Sequence, residues 1–273
     1  MPTPKTLTLE QILQIIKDKN NSLDGITNDT IKLIEKYQMQ YDAGLLDIDF
    51  DTDNAGNLKS STKNINKLQS YDPIKEFGFE KLAISHTDTY DAVIPEVTKS
   101  FLNRLGMKTI INYKNLEFVK DIKKLDISGL LNLAKEHDNV IKKAMINNIV
   151  LNTSYKKAVS LLKTDLLNVS AGRLVSKADA ILRTSTFGMH NLFSKETYDK
   201  IGGNLPNAKY LYSGPTDKKT RPFCLRHVNK IYTLKEVQDF GKANGSGLNA
   251  FFSPGGYRCR HDLIFVGNLV IKK

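Results

Sequence analysis

The sequence predicts an α+β protein, with a mostly helical N-terminal body followed by a small α+β C-terminal domain. Apolar residues recur at helical spacing over most of the chain before Gly202. After Gly202-Gly203-Asn204 the pattern changes to short alternating segments separated by glycine-rich turns. The predicted organisation is a helical hairpin at 1–44, a polar connector at 45–68, a helical body at 69–204 and the C-terminal domain at 205–273.

The composition is that of a globular protein rather than a disordered or membrane-spanning one. The chain has 273 residues, of which 40% are hydrophobic and 25% charged, so it can bury a sizeable core. No stretch approaches the roughly 18 uninterrupted apolar residues of a membrane span, and residues 1–5 lack the apolar region of a secretory signal. We therefore expect a protein that is assembled in the cytoplasm and has no membrane partner.

The N-terminal segment predicts two helices and an exposed connector. Thr8 and Gln11 fit a capping box, and the apolar residues that follow predict a first helix to about Lys19. Asn28 can cap a second helix. The connector is rich in polar residues, and a turn is predicted at 54–57.

The helical body is predicted from apolar stripes and capping signals. Gly106 is expected to end a helix that runs through Val97 to Leu105, in a region punctuated by Pro73 and Pro95. A further helix is expected to begin at the capping box 176–179. The stripes predicted to form the core comprise Ile127, Leu130, Leu131 and Ala134; Tyr155, Ala158, Val159 and Leu162; and Ala178, Ile181, Leu182, Ser185, Met189 and Leu192.

The C-terminal domain is predicted to contain two strands and a short helix. Residues 209–212 alternate as a strand does, and Ser213-Gly214-Pro215 predicts a turn after them. Thr233 and Glu236 fit the capping box of a short helix, and residues 263–266 can form the closing strand.

The only two cysteines of the chain each lie beside a histidine in this domain. Cys224 and His227 form C-x2-H, and Cys259 and His261 form C-x-H. Thiolate and imidazole are the ligands of tetrahedral structural zinc, so these four residues predict a zinc-clipped domain. A disulfide between Cys224 and Cys259 and two unligated buried thiols remain alternatives.

A zinc ion held by all four residues would leave no position for water, which indicates a structural site and not an enzyme. The acidic residues nearby are few, and Asp217 is more typical of a cap that holds the Lys219 or Thr220 amide. The chain also lacks the GxxxxGK[ST], HExxH and GxSxG motifs. The isolated His86, His137 and His190 are expected to be ordinary surface or core residues.

The basic charge is concentrated in the C-terminal domain. The net charge of the chain is +11, and residues 205–273 contain 12 basic and 4 acidic side chains. Such a surface favours either the phosphate backbone of double-stranded DNA, without sequence preference, or an acidic protein partner, although a solvated lysine-rich face gives the same composition. Four arginines flank the cysteine pairs and either contact phosphate or brace loops and acids: Arg221, Arg226, Arg258 and Arg260.

Four blocks of the sequence resemble, in order, the phage Mu F-like minor head (head morphogenesis) protein family. The block at 178–186 with Asn191 resembles the family helix with its I-A-R-T-E-T core. The next block, 217–224, is similar to D-x-R-T-R-P-x-C, and 229–233 to the G-K-x-Y/F turn. The last, 255–261, is similar to G-G-x-x-C-R-H. The resemblance covers about 176–266, one third of the chain.

Three positions depart from the family pattern. Ser185 replaces the glutamate of R-T-E-T, Lys219 replaces the first arginine of the second block, and Asn229 replaces the turn glycine, whose left-handed conformation asparagine can adopt. If the family uses this glutamate in a polar contact between the helix and the C-terminal domain, that contact is not expected in this chain.

The resemblance implies a minor capsid protein of the virion, built into the prohead near the portal. Its partners would be the portal protein and other capsid proteins, and it could touch packaged DNA or be ejected with it. Two other interpretations stay open at this point, a phage-associated effector or toxin and a zinc-dependent DNA-binding module.

Overall fold

The computed structural model describes residues 5–108, 111–113, 116–161, 168–205, 207–267 and 269–272. The described residues form a mostly helical α+β protein, as predicted. None of the described helices is both long and apolar enough to cross a membrane. The elements are β1 (Lys5–Thr8), α1 (Leu9–Leu46), α2 (Thr62–Ser70), α3 (Pro73–Glu76), α4 (Phe79–Arg104), α5 (Glu117–Val150), α6 (Tyr155–Leu161), α7 (Asn168–Lys200), β2 (Lys209–Ser213), α8 (Pro222–His227), β3 (Lys230–Thr233), α9 (Leu234–Gln238), α10 (Phe240–Ala243), β4 (Asp262–Phe265) and β5 (Leu269–Lys272).

The chain divides into two compact units whose limits differ from the predicted domains. One unit comprises Met1–Asn28, Thr87–Lys124 and Ala180–Lys273, and the other comprises Asp29–His86 and Leu125–Asp179. The predicted boundary at 204/205 therefore lies inside a unit, because the C-terminal domain packs with the beginning of α1 and the end of α7 in one core. Sequence spacing reports local elements but not which distant segments share a core.

The predicted N-terminal hairpin is instead the single helix α1. Asn20, Asn21, Ser22 and Gly25 favour turns in isolation, but the buried stripe continues through them. It runs at helical spacing through Ile12, Ile16, Lys19, Leu23, Thr27, Thr30, Ile34, Tyr37, Tyr41 and Leu45. Three members of the stripe are polar, so the apolar period of the sequence is interrupted in this segment. Tertiary burial outweighs local propensity in this segment.

In the second unit, the predicted exposed connector is wrong at its apolar positions. Phe50, Leu58 and Leu68 are buried and pack with α5 residues in a common cluster. Asn64 is also buried, and its side chain bonds to both the amide and the carbonyl of Asp51, which stabilises the segment without a regular strand. The predicted turn at 54–57 is confirmed, with Gly56 at φ +78°.

Two other helices begin earlier than predicted. The predicted helix at Val97–Leu105 is the end of α4, which starts at Phe79 and contains Pro95. Its end is confirmed, because Gly106 has φ +79° and the Met107 amide donates to the Leu102 carbonyl at 2.8 Å. Ser176 lies inside α7 and does not cap it. Leu162 of the predicted stripe lies outside the described residues.

In the first unit, an antiparallel sheet has the strand order β3-β2-β4. The predicted strands at 209–212 and 263–266 are confirmed within a residue at each end, and so is the capping box of Thr233 and Glu236. In β2, Tyr210, Leu211 and Tyr212 are buried in the core of this unit. The sheet thus fixes the residues around the cysteines.

Candidate metal centre

Three of the four predicted ligands converge in the first unit. The ligand atoms of Cys224, Cys259 and His261 all lie within 4.8 Å of one another. Their exposed fractions are only 3%, 5% and 2%. Cys224 comes from α8, and the other two come from the loop that enters β4. The predicted convergence of two remote segments is therefore observed for these three residues.

Local signals in the sequence place Cys224. Pro222 occupies the first turn of α8, where its missing amide costs no hydrogen bond. The helix ends when the Val228 amide donates to the Cys224 carbonyl at 2.9 Å. Asn229 then takes φ +63°, the left-handed conformation expected of the residue that replaces the family glycine, and its amide donates to the Tyr212 carbonyl at 2.8 Å.

The turn at Gly255 and Gly256 shapes the other side of the group. The Gly255 amide donates to Cys259 Sγ at 3.2 Å, and Gly256 has φ +83°. A Cβ on Gly255 would lie 2.5 Å from Cys224 Sγ and 2.7 Å from Cys259 Sγ. Since real side chains do not approach so closely, glycine keeps open the space beside the two sulfurs.

The two thiols differ in their electrostatic surroundings. A hydrogen bond from Cys259 lowers the pKa of Cys224 below its usual range, and His261 and Tyr212 act in the same direction against the effect of burial. Burial, followed by the proximity of Cys224, raises the pKa of Cys259 well above its usual range. The group therefore favours one thiolate beside one thiol, which is a starting point for binding a cation.

The donor set fits a zinc ion. A tetrahedral site with Zn–S of ~2.3 Å and Zn–N of ~2.0 Å separates a sulfur from a nitrogen by roughly 3.5 Å. Cys259 Sγ lies 3.8 Å from His261 Nδ1. This distance makes Nδ1 the ligand atom of His261, and the other ring nitrogen, Nε2, is buried without a hydrogen-bond partner among the described residues. Both cysteines are free, so this structure does not contain the disulfide that was the alternative to a metal site.

His227 does not join the group, and the predicted four-residue ligand set is wrong in this respect. Its Nδ1 lies 2.7 Å from the hydroxyl of Tyr232. Its ring packs on Phe223 at 4.3 Å and on Phe240 at 5.0 Å between centroids. The imidazole is therefore part of an aromatic cluster, which the C-x2-H spacing could not reveal.

The four arginines predicted to contact phosphate separate into two groups. Arg221 donates to the Gly255 carbonyl at 2.5 Å, and Arg260 binds both carboxylate oxygens of Asp217 at 2.6 and 2.8 Å. These two brace the loops of the metal group, the alternative that the sequence left open. Arg226 and Arg258 are exposed.

Asp217 has the predicted capping role as well as an ion pair. Its carboxylate accepts the Lys219 amide at 2.9 Å. The hydrogen bonds from Arg260, together with that amide, lower the pKa of Asp217 well below its usual range. The second and last blocks of the resemblance are thus joined by a charged, bidentate contact.

The block on α7 contacts the loop of the last block. Thr184 Oγ1 accepts the Arg258 amide at 3.0 Å, and Asn191 donates to the Phe252 carbonyl at 3.3 Å. A Cβ on Gly188 would lie 2.0 Å from the Phe252 ring, so this glycine allows the loop to approach the helix. These contacts join α7 to the C-terminal loop beside Ser185, the position where the family has a glutamate.

A second buried polar cluster lies in the same unit and was missed by the sequence analysis. Lys19 Nζ binds the two carboxylate oxygens of Asp262 at 2.8 and 3.0 Å. His190 Nε2 lies 3.6 Å from Asp262, and its Nδ1 lies 2.8 Å from Thr98 Oγ1. No motif marks these residues, because they come from four separate elements. His190 is nevertheless a hydrogen-bonded core residue, as predicted for the isolated histidines.

Tyr212 and Gly255 also lie beside the sulfurs, a position that the sequence does not predict. The sequence predicts only that Tyr212 lies in a strand and that Gly255 belongs to the last block of the resemblance. The G-G-x-x-C spacing was the one signal that could have pointed to Gly255, since a glycine pair before a ligand cysteine permits a close turn.

Comparison of the chain with family models, with curated proteins and with solved structures gave no match.

Proposed function

We propose that this chain is a minor capsid protein that acts in phage head morphogenesis, in the manner of the Mu F-like family. The observation that carries the proposal is the mutual contact of the blocks that resemble this family. Asp217 of the second block binds Arg260 of the last, and Thr184 of the first binds the amide of Arg258 in the last. Motifs that coincide only by chance have no reason to meet in one site.

The metal group is proposed to be a structural zinc clip of the C-terminal domain. Cys224, Cys259 and His261 supply thiolate and imidazole donors and are almost completely buried. Bound zinc would join two segments that lie about 35 residues apart in the chain. The free energy of metal binding would then add directly to the free energy of folding. The almost complete burial of these ligands suits a structural role, and for this reason we propose that the protein is not an enzyme.

The setting proposed for the protein is the phage head, close to the portal protein and other capsid proteins. Mass spectrometry and cryo-electron microscopy of purified particles of the encoding phage test this directly. We expect the chain in the head, and co-purification of tagged protein with the portal protein. Absence from particles that are otherwise complete would defeat the proposal.

Contact with packaged double-stranded DNA is proposed through exposed basic side chains of the C-terminal region. Arg226 and Arg258 are exposed, and the side chains of Arg221 and Arg260 bind the Gly255 carbonyl and Asp217. The double variant Arg226→Gln/Arg258→Gln should weaken binding equally for unrelated sequences and reduce the salt dependence by about 0.9 per lost phosphate contact. The double variant Lys32→Gln/Lys99→Gln, which removes the same charge elsewhere, is the control and should leave binding unchanged.

Two outcomes would favour the alternatives. A marked preference for one DNA sequence would indicate a DNA-binding module, because backbone contacts carry no sequence information. Turnover of nucleic acid that persists in Cys224→Ser would indicate an effector or enzyme.

A further inference from the structure

The space in front of Gly255 is lined by a third side-chain atom besides the two sulfurs. The position that a Cβ of Gly255 would take lies 2.5 Å from Cys224 Sγ, 2.7 Å from Cys259 Sγ and 3.0 Å from the hydroxyl oxygen of Tyr212. The residue that faces the sulfurs across this space is therefore a tyrosine and not His227. This places an oxygen donor where the sequence had predicted an imidazole.

The position of Tyr212 is fixed from both sides. It lies in the central strand β2, where it pairs with Lys230 of β3 and with Leu263 of β4. It is fully buried, and its ring lies 5.2 Å from the His261 ring. A side chain held by two neighbouring strands needs little reorganisation in order to present its oxygen to an ion.

The distances are close to those of a complete tetrahedral site. The Tyr212 hydroxyl lies 4.0 Å from Cys259 Sγ. With Zn–O of ~2.0 Å and Zn–S of ~2.3 Å, a tetrahedral ion places oxygen and sulfur roughly 3.5 Å apart. Movement of about half an ångström would bring Tyr212 into the coordination shell, and zinc accepts oxygen as well as sulfur and nitrogen ligands.

We infer that the phenol oxygen of Tyr212 is the fourth ligand of a metal ion held by Cys224, Cys259 and His261. This inference rests on the metal centre proposed above. The ion would then join the middle of the sheet to α8 and to the loop that enters β4, and its coordination would be closed. His227 has another role, since its Nδ1 bonds to Tyr232 and its ring packs on Phe223.

The test uses the full-length protein prepared with cobalt(II) in place of zinc. Zinc(II) has no visible absorption, whereas the absorption spectrum of bound cobalt(II) reports the geometry of its site. Three variants are compared with the unmodified chain. Tyr212→Phe removes only the proposed ligand atom, and His227→Gln removes the ligand that the sequence predicted. Tyr232→Phe removes a hydroxyl from the same aromatic cluster and is the matched control. Each sample is titrated with thiocyanate, an anion that binds to an open metal position.

We expect a tetrahedral cobalt spectrum that thiocyanate does not change in the unmodified chain, in His227→Gln and in Tyr232→Phe. Tyr212→Phe should respond to thiocyanate and should bind cobalt at least ~10-fold more weakly, the lower limit for loss of even an outer partner of a metal ligand. A Tyr212→Phe spectrum identical to that of the unmodified chain would overturn the inference. So would a changed spectrum in His227→Gln alone.

One measurement does not depend on the folding of any variant. X-ray absorption of the unmodified zinc protein should show two sulfur and two nitrogen or oxygen neighbours, and its cobalt form should be inert to thiocyanate. A three-coordinate shell, or a cobalt form that takes up thiocyanate, would overturn the assignment of Tyr212 while leaving the metal centre intact. Absence of any bound metal would instead overturn the centre itself, and the inference with it.

Discussion

The ammonium group of Lys19 lies 2.8 Å from the carboxylate of Asp262, and both side chains are almost completely buried, at 1% and 3% exposure. Lys19 comes from α1, and Asp262 directly follows the metal-group residue His261 at the start of β4. The Lys19 ammonium also lies 5.1 Å from the centre of the Phe187 ring. Burial alone would raise the pKa of Asp262, but its interactions with Lys19 and His190 outweigh burial and keep this pKa below its usual range.

We predict that Lys19→Met lowers the free energy of unfolding of the first unit by about 3–5 kcal/mol, because it leaves the buried carboxylate of Asp262 without its partner. Equilibrium urea denaturation measures the change. The control is Lys32→Met, which breaks an ion pair whose side chains are 73% and 78% exposed. That control should change stability by no more than about 1 kcal/mol.

The pair can be separated from other effects of the Lys19 substitution. Adding Asp262→Asn to Lys19→Met removes the uncompensated charge, so the double variant should be more stable than Lys19→Met alone. A double variant with additive losses would show that the buried charge is not the cause.

The substitution Gly255→Ala is predicted to weaken metal binding without removing any ligand. The added methyl group would lie 2.5 and 2.7 Å from the two sulfurs, in the space that an ion needs. We expect zinc affinity to fall by at least ~10-fold, the smallest loss typical when a residue that supports the metal ligands is replaced. Elemental analysis of purified protein measures zinc per chain, and unchanged zinc content in Gly255→Ala would show that the ion does not use this space.

The continuity of α1 predicts that Gly25→Ala stabilises the protein. Gly25 lies within α1, and an added Cβ would meet no atom within 4 Å. Alanine should therefore raise the free energy of unfolding by roughly 0.5–1 kcal/mol, as it does in exposed helix interiors. Thermal and urea denaturation measure the gain, and zinc content should stay as in the unmodified chain. Destabilisation would instead support the turn that the hairpin prediction placed in this segment.

The stability of the second unit is predicted to depend on pH through His86. This side chain is buried, with Nδ1 2.6 Å from Thr30 Oγ1, and burial lowers its pKa from 6.5 to about 4. Because the fold favours the neutral imidazole, its contribution to stability is complete above pH 6.5 and is lost as the pH falls toward 4. The total loss is about 3 kcal/mol, since each pKa unit corresponds to ~1.4 kcal/mol.

The check is a pH series of urea denaturation for the unmodified chain and for His86→Gln. The difference in unfolding free energy between the two proteins should shrink as the pH falls below 6.5, because only the unmodified chain must then charge a buried imidazole. Parallel curves over this range would contradict the prediction.

The sequence by itself determined the fold class, the strands of the C-terminal sheet and the cap at Thr233, because these depend on spacing between near neighbours. It also indicated that Cys224, Cys259 and His261 belong together, since cysteine and histidine pairs are rare enough to be read without a structure.

Only the tertiary structure decided which residues complete that group and which segments share a core. His227 stands at a suitable spacing, yet its ring packs among Phe223, Tyr232 and Phe240, while Tyr212 faces the sulfurs from a strand. Lys19 and Asp262 are 243 positions apart and meet without any motif. Spacing fixes the direction of a side chain within its own helix or strand, but the partner that it meets is decided by packing between elements that are distant in the chain.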